Sequence, residues 1–278
     1  MDLSVVIPVQ NEAGNIEPLI AETVALFDGL CRYEIVVVDD ASRDGTLDRL
    51  RAVQAHTPSL RIIHLAEPSG QSCAVWTGVR AARAPIIATL DGDGQNDPAD
   101  LPKLLDVLQA ESGRSRVHLV VGRRRHRLDS GWRKFSSRIA NAIRGRLLGD
   151  RTPDSGCGTK VFVRETFLQI PHFNHMHRFL PALFRRQGAD VRSMEVNHRP
   201  RTRGRSHYGT LDRFVAGVAD LAGMLWLLRR ARVPEVQEIE VQEIGQAAGS
   251  GRERDVVPFP APEPTRLFVV AKARRSAA

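Results

Sequence analysis

The sequence predicts an α/β fold: a mostly parallel sheet flanked by helices, with a helix near the carboxyl end and a low-order tail behind it. Three observations carry that prediction. Over the first 110 residues, Val- and Ile-rich runs alternate with helical patterns at the spacing of strand–helix–strand units. Three of the predicted strands end in polar or acidic residues, at 8–12, 39–40 and 91–93. Ligands of such sheets bind beyond the carboxyl ends of the strands, so these three ends would converge on one crevice. Finally, 42% hydrophobic and 26% charged residues in a 278-residue chain suit one large core, or one core plus an appendage.

Taken in order, a buried strand is predicted over 3–9, then a helix over 16–27 with Asn15 as its cap. A second strand over 34–38 runs into Asp39-Asp40, and the turn Ser42-Arg43-Asp44-Gly45 leads to a helix from Thr46. A short strand over 61–65 precedes a helix over 72–82 with a Ser cap, and a fourth strand covers 85–90. Asp97-Pro98 opens the next helix, with Asp as cap and Pro at the first helical position. Beyond it lie strands over 119–121 and 191–196 and helices over 179–186 and 211–230. A Gly-punctuated loop, Asp154-Ser155-Gly156-Cys157-Gly158-Thr159-Lys160, runs into a further short strand, and 198–208 is a basic loop. The composition shifts after Pro234, which divides the chain into a domain over 1–232 and a tail over 233–278.

The net charge of +8 and pI of about 10.2 favour an anionic partner. Residues 114–146 hold eleven Arg or Lys against one Asp, either a solvated face or a docking surface for phosphates or an anionic membrane. Three scattered cysteines form no disulfide framework or metal pair and suit a reducing compartment. The amino terminus has no basic, apolar leader pattern, and no apolar run reaches the roughly 18–20 residues that span a bilayer. The nearest is 214–228, interrupted by Asp220, which suits a core or interfacial helix.

Leu90-Asp91-Gly92-Asp93-Gly94-Gln95-Asn96-Asp97-Pro98 is the most informative stretch, with three carboxylates in seven positions at a strand's end. Hard divalent cations such as Mg²⁺ or Mn²⁺ take oxygen ligands and share them with substrate phosphates. An EF-hand starting at Asp91 is excluded, because Asn96 and Pro102 stand where that loop needs Gly and Glu. Trp76, Trp132 and Trp226 read as packing residues, His172, His175 and His177 as loop histidines, and Cys157 as structural.

With these motifs placed, the chain from about residue 3 to 230 resembles the inverting family 2 glycosyltransferases of GT-A (Rossmann-like) fold. Within them it is most similar to the polyprenyl-phosphate glycosyltransferases of the dolichol-phosphate mannose synthase type. The resemblance rests on Pro8-Val9-Gln10-Asn11-Glu12, Val38-Asp39-Asp40 through Thr46, Asp91-Gly92-Asp93-Gly94-Gln95, Gly122-Arg123, Asp154 through Gly158, and Arg201 through Tyr208, in that order. It implies that Pro8, Gln10, Glu12, Val38 and Asp40 hold the nucleotide, and that Asp91, Gly92 and Asp93 hold the diphosphate. It also implies a Mg²⁺ or Mn²⁺ ion on Asp91, Asp93 and Gln95, and Arg123, Arg201 and His207 beside the donor phosphates. His207 stands where the family has Lys, so donor binding there would depend on pH. The resemblance places the acceptor phosphate at Arg133 and Ser137 and makes Asp154 an active-site carboxylate.

The implied partners are a nucleotide sugar (UDP- or GDP-linked), a polyprenyl phosphate such as an undecaprenyl or dolichyl lipid, and an anionic membrane surface. That suggests peripheral attachment to the inner face of the cytoplasmic membrane, with a membrane protein as a further candidate partner. Three rival readings follow from the same residues: a transferase using a soluble or polysaccharide acceptor, a degenerate transferase subunit, and a non-enzymatic basic binding protein. No nucleic-acid partner is expected, because acidic strand ends repel phosphates and no recognition motif is present.

Overall fold

The structure is a computed structural model that describes residues 1–111, 116–124, 145–150, 152–200 and 210–230. The strands are β1 (Leu3–Val9), β2 (Tyr33–Asp39), β3 (Leu60–His64), β4 (Ile86–Thr89), β5 (Val117–Arg124), β6 (Lys160–Val163) and β7 (Asp190–Val196). They form one seven-stranded sheet in the order β3-β2-β1-β4-β6-β5-β7. Pairing is parallel throughout except where β6 runs antiparallel to both β4 and β5. The predicted mostly parallel sheet is therefore what the chain builds. The carboxyl ends of β1, β2, β4 and β5 share one edge.

The helices are α1 (Ile16–Phe27), α2 (Thr46–Gln54), α3 (Gln71–Ala81), α4 (Leu101–Glu111), α5 (Arg164–Leu168), α6 (Leu180–Arg186) and α7 (Thr210–Arg230). β1 and α1 match their predicted limits, because an unbroken apolar run buried on both faces and a well-spaced apolar stripe leave little choice. β5 is longer than predicted. Its polar end, Gly122-Arg123-Arg124, is drawn into the ladder by pairing with Met194, Glu195 and Val196 of β7. α5 is a single short helix that escaped the sequence pattern. Asp97 caps as predicted, its Oδ1 accepting the Ala99 N–H at 3.1 Å. Asn15 stands at the start of α1 but makes no cap bond, and instead donates from Nδ2 to Glu12 Oε2 at 2.6 Å. The N-cap of α3 is Gly70, not Ser72, because the Ser72 hydroxyl faces His177.

Apolar residues of β1, β2 and β4 and the facing sides of α1, α3 and α4 fill the core. At the amino-terminal edge of the sheet, Glu34 is buried and accepts bonds from Ser4 Oγ (2.7 Å), Arg61 Nη1 (2.7 Å) and the Arg83 N–H (2.6 Å). Burial pushes its carboxyl upward, but the bonds from Ser4, Arg61 and Arg83 outweigh that and hold it below the ordinary glutamate range. α7 rests on the core through Leu221, Met224 and Leu225 and is tied by Asp220 Oδ2 to His175 Nδ1 at 2.8 Å. Trp226 is 63% exposed, so it is not the packing residue its type suggested. Among the described residues, no helix is long and apolar enough to cross a membrane.

Candidate active site

Two loops close the crevice on the β1–β2 side. Asn11 and Ala41 both adopt left-handed backbone angles directly after their strands. Asn11 N–H donates to Ser42 Oγ at 2.9 Å, and Arg43 N–H donates back to Asn11 Oδ1 at 2.8 Å. The Glu12 N–H adds a bond to Thr46 Oγ1. Gln10 reaches across to the Asp40 carbonyl at 2.9 Å. The Asp40 carboxylate is buried and accepts the N–H groups of Ser69 (2.6 Å) and Gly70 (2.8 Å). It thereby fixes the loop into α3 beside the β2 end. Val38, expected at the nucleotide site, is fully buried with its side chain packed under α3, so it belongs to the core; Asp39 and Asp40 are what this strand end offers.

The acidic motif follows β4. Asp91 accepts from Gln71 Nε2 at 2.8 Å, and its own N–H donates to Asn96 Oδ1 at 2.7 Å. Asp93 Oδ1 accepts the Gln95 N–H at 3.1 Å. Gly92 is forced by close approach: a Cβ there would lie 2.4 Å from Val9 Cγ1 and 3.0 Å from the Pro8 carbonyl. Gly158 makes room in the same way, since its Cβ would meet Asp91 Oδ2 at 2.1 Å. Burial, reinforced by the neighbouring Asp93 charge, pushes Asp91 up to about 6, against the pull of Lys160, Arg124 and Gln71.

The two arginines at the end of β5 take different places. Arg123 turns away from the acids and pairs with Glu195, both side chains being 50% exposed. Arg124, on the opposite face of the strand, points inward. Its Nε and Nη2 bond the two Asp154 oxygens at 2.7 and 2.8 Å, a bidentate pair that is largely buried. Burial opposes the Arg124 charge, and the Asp154 bonds restore it. Asp154 thus orients a cation close enough to bias Asp91.

Two further residues were missed. Lys160 opens β6, is 3% exposed, and donates to the Cys157 carbonyl. His177 lies in the turn before α6 with Nδ1 2.7 Å from Ser72 Oγ, a contact spanning 105 residues. Burial, with the Lys160, Arg178 and His175 charges, drives His177 down to about 3, so the ring is neutral. Lys160 and His177 line, with Asp91 and Gln71, one narrow crevice. Local sequence carries no signal for either; the 154–160 motif names Lys160 without saying where it points. Cys157 is buried with its thiol raised mainly by that burial, in keeping with a structural role. Arg133, Ser137, Arg201 and His207, most of the 114–146 basic run and the tail after 233 lie outside the described residues.

The residues at the rim fit a divalent ion. Asp91 is a desolvated carboxylate with one side-chain donor, and Asp93 stands two residues on. Gln95 Nε2 is directed to the Arg199 carbonyl at 3.4 Å, which leaves its oxygen as a ligand candidate. Among the described residues there is no group of three His, Cys, Asp or Glu side chains placed to hold a metal ion. Two carboxylates with the remaining positions left to substrate and water is how proteins hold Mg²⁺ at phosphate sites.

A sequence profile of the family described as Glycosyl transferase family 2 matches residues 4–170. The dodecaprenyl-phosphate galacturonate synthase of Rhizobium johnstonii is 35% identical over 234 residues, covering 82% of this chain and 68% of that protein. The undecaprenyl-phosphate 4-deoxy-4-formamido-L-arabinose transferase of Shewanella sediminis is 33% identical over 212 residues, covering 76% of this chain and 62% of that one. The chain thus spans about two thirds of these relatives. Among solved structures, glucosyl-3-phosphoglycerate synthase from Mycobacterium tuberculosis, in complex with Mn²⁺, UDP-glucose and phosphoglyceric acid, superposes with a TM-score of 0.62 at 23% identity. It covers 82% of this chain and 79% of that one, and fixes the fold as GT-A.

Proposed function

The chain belongs to glycosyl transferase family 2, and from that premise we propose that it moves a sugar from a nucleotide diphosphate donor to a polyprenyl phosphate, with inversion at the anomeric carbon. The observation that carries this reading is the pair Asp91 and Asp93 at the sheet's carboxyl edge, with Asp91 desolvated beside a second carboxylate. The named activities of the relatives, both of them transferases acting on polyprenyl phosphates, support the acceptor.

Charge builds on the diphosphate as the anomeric bond breaks. A divalent ion, when bound, supplies Lewis-acid neutralisation of that charge. Asp91, Asp93 and Gln95 would hold it. Arg124, oriented by Asp154, adds a fixed positive field directed at the same place. Asp40, Gln10 and the paired loops after β1 and β2 form the wall against which the nucleoside would lie. A polyprenyl phosphate is already anionic near neutral pH, so the site needs no strong general base, only a means of holding the phosphate in line. Arg133 and Ser137 are proposed for that task, and Arg201 and His207 for the donor phosphates. The net charge of +8 suits a lipid phosphate at an anionic membrane surface, met from its cytoplasmic face.

The test is transfer of label from UDP- and GDP-sugars to undecaprenyl phosphate with Mn²⁺ or Mg²⁺, followed by organic extraction. Metal-dependent label in the organic phase is expected. Label confined to the aqueous phase rejects the lipid acceptor.

A further inference from the structure

The loop that carries the acidic motif is braced by a segment 97 to 104 residues further along the chain. β7 ends at Val196, and the next three residues run on beyond the sheet beside 95–97. Asn96 and His198 form an isolated antiparallel bridge. The Arg199 N–H donates to the Gln95 carbonyl at 2.9 Å, and Gln95 Nε2 is directed to the Arg199 carbonyl at 3.4 Å. The Asn197 N–H donates to Asp100 Oδ2 at 2.6 Å, and its Nδ2 to Asp97 Oδ2 at 3.3 Å. The Arg199 side chain then spans the gap to α1. Its Nη2 donates to Asp97 Oδ1 at 2.9 Å and its Nη1 to Glu22 Oε2 at 2.7 Å. One residue thus meets Gln95 through its backbone and ties the far end of the same loop to a core helix through its guanidinium.

Stability is a poor account of this clamp. The Arg199 and Glu22 side chains are 38% and 44% exposed, and ion pairs this open to water add little to folding. What the contacts fix is geometry. Asp91 and Asp93 are drawn to a cation by their charge, whereas Gln95 offers a neutral amide. An amide presents its oxygen only if its NH₂ is engaged elsewhere, and the Arg199 carbonyl engages it. The Asp91 N–H closes the loop on itself through Asn96 Oδ1, and the brace anchors that closed loop to α1. Arg201, proposed for the donor phosphates, follows two residues later in the sequence, so the brace also ties the root of the basic segment to the acidic loop. We propose that Arg199 is a positioning residue for the divalent ion: its backbone aims Gln95, and its guanidinium holds the loop from Asp91 to Asp97 against Glu22. It acts through Gln95 and Asp97 and touches neither ion nor donor. This inference rests on the metal half of the proposed function and is independent of the sugar and the acceptor.

The experiment is a titration of the full chain with Mn²⁺ in the presence of UDP or GDP, followed by electron paramagnetic resonance of the ion. Thermal melting and amide hydrogen exchange over 91–97 are measured on the metal-free protein. Arg199→Met is expected to weaken Mn²⁺ binding about tenfold, as loss of support behind a ligand commonly does, and to speed exchange over 91–97. Its melting temperature should stay within about 3 °C of the parent. Arg199→Lys should recover part of the affinity, because an ammonium can still reach one of the two carboxylates. Glu22→Gln frees only the α1 end of the clamp, on an exposed face, and should weaken Mn²⁺ binding about twofold. If the parent binds Mn²⁺ and Arg199→Met binds it as well, this inference alone is overturned. It is also overturned if Arg199→Met melts far below the parent and Glu22→Gln binds Mn²⁺ unchanged, since Arg199 would then only support the fold. A parent chain that takes up no Mn²⁺ rejects the metal half of the proposed function and this inference with it.

Discussion

At the amino-terminal edge of the sheet, Glu34 is 2% exposed and is met by a hydroxyl, a guanidinium and a backbone N–H. At the carboxyl-terminal edge, Asp91 is desolvated too, but its side-chain donor is a single amide and its nearest acid is another carboxylate. The first arrangement favours the ionised form and the second opposes it. Both carboxylates sit at the margins of the same sheet and both lose water, so the difference lies in their partners. One end of the sheet is finished by the chain itself, and the other waits for a cation. Sites that bind ligands commonly carry such uncompensated charge, and removing it tends to stabilise the unliganded protein.

The largest effect expected from this contrast is on function. Asp91→Asn should lower metal-dependent donor binding and transfer by about 10²–10³-fold or more. The same change should leave the melting temperature of the metal-free protein unchanged or raised, because it removes a charge that Lys160, Arg124 and Gln71 compensate only in part. A melting temperature lowered as far as that of a Glu34 variant would mean the two edges are alike after all.

Glu34→Ala is the mirror experiment. It strands the Ser4 hydroxyl, the Arg83 N–H and the Arg61 charge beside a buried hole. The cost is about 3–5 kcal/mol, read as a lower urea midpoint. Donor affinity per folded molecule should hardly change, since Glu34 lies at the far edge. If affinity falls in step with stability, the edges are coupled and the contrast fails.

The two acids also predict opposite pH responses. Glu34 titrates below its ordinary value of 4.5 in the native state. Its contribution is fully present above that value and is lost as pH falls through the native pKa. Asp91 titrates near 6 in the native state against an ordinary 3.8. The native state therefore holds a proton that the unfolded chain releases. Asp91 costs stability as pH rises from about 4 to about 6, on the order of 1–3 kcal/mol. The difference in stability between Asp91→Asn and the parent should grow over that window and level off above it. A difference flat from pH 4 to 7 would show that Asp91 is not desolvated.

How much of this was legible in the sequence depended on how local each cause was. β1, α1 and the Asp97 cap are written in periodicity and in a dipeptide, and they stand where expected. The convergence of the three acidic strand ends was also legible, because the parallel topology itself brings them to one edge. The Glu34 knot was not, since its donors come from β1, β3 and the segment before β4, 27 to 49 residues away. His177 reads as a loop histidine because what buries it, Ser72 and the crevice wall, is fixed only by the packing of α3. The resemblance puts Val38 at the nucleotide site, yet its side chain is fully buried under α3. The point least legible in the sequence, and the one that bears most on chemistry, is parity at the end of β5.

Arg123 and Arg124 are adjacent in sequence and lie on opposite faces of the sheet, so which one serves the site depends on where the strand ends. Had β5 stopped at Val121, neither side chain would have been assigned a face. Pairing with β7 carries the strand through Arg124 and decides the matter. Arg124→Gln should then weaken donor binding by about tenfold, the loss of one charge-assisted contribution, and Asp154→Asn should reproduce part of that loss by freeing the guanidinium. Arg123→Gln removes a pair half open to solvent, and such pairs contribute little, so a change of less than about threefold in donor affinity is expected. Measured side by side with the same nucleotide sugar, the ratio of the two effects tests the strand's register directly. A larger loss for Arg123 than for Arg124 would mean that the ladder of β5 and β7 is shifted by one residue in the working enzyme.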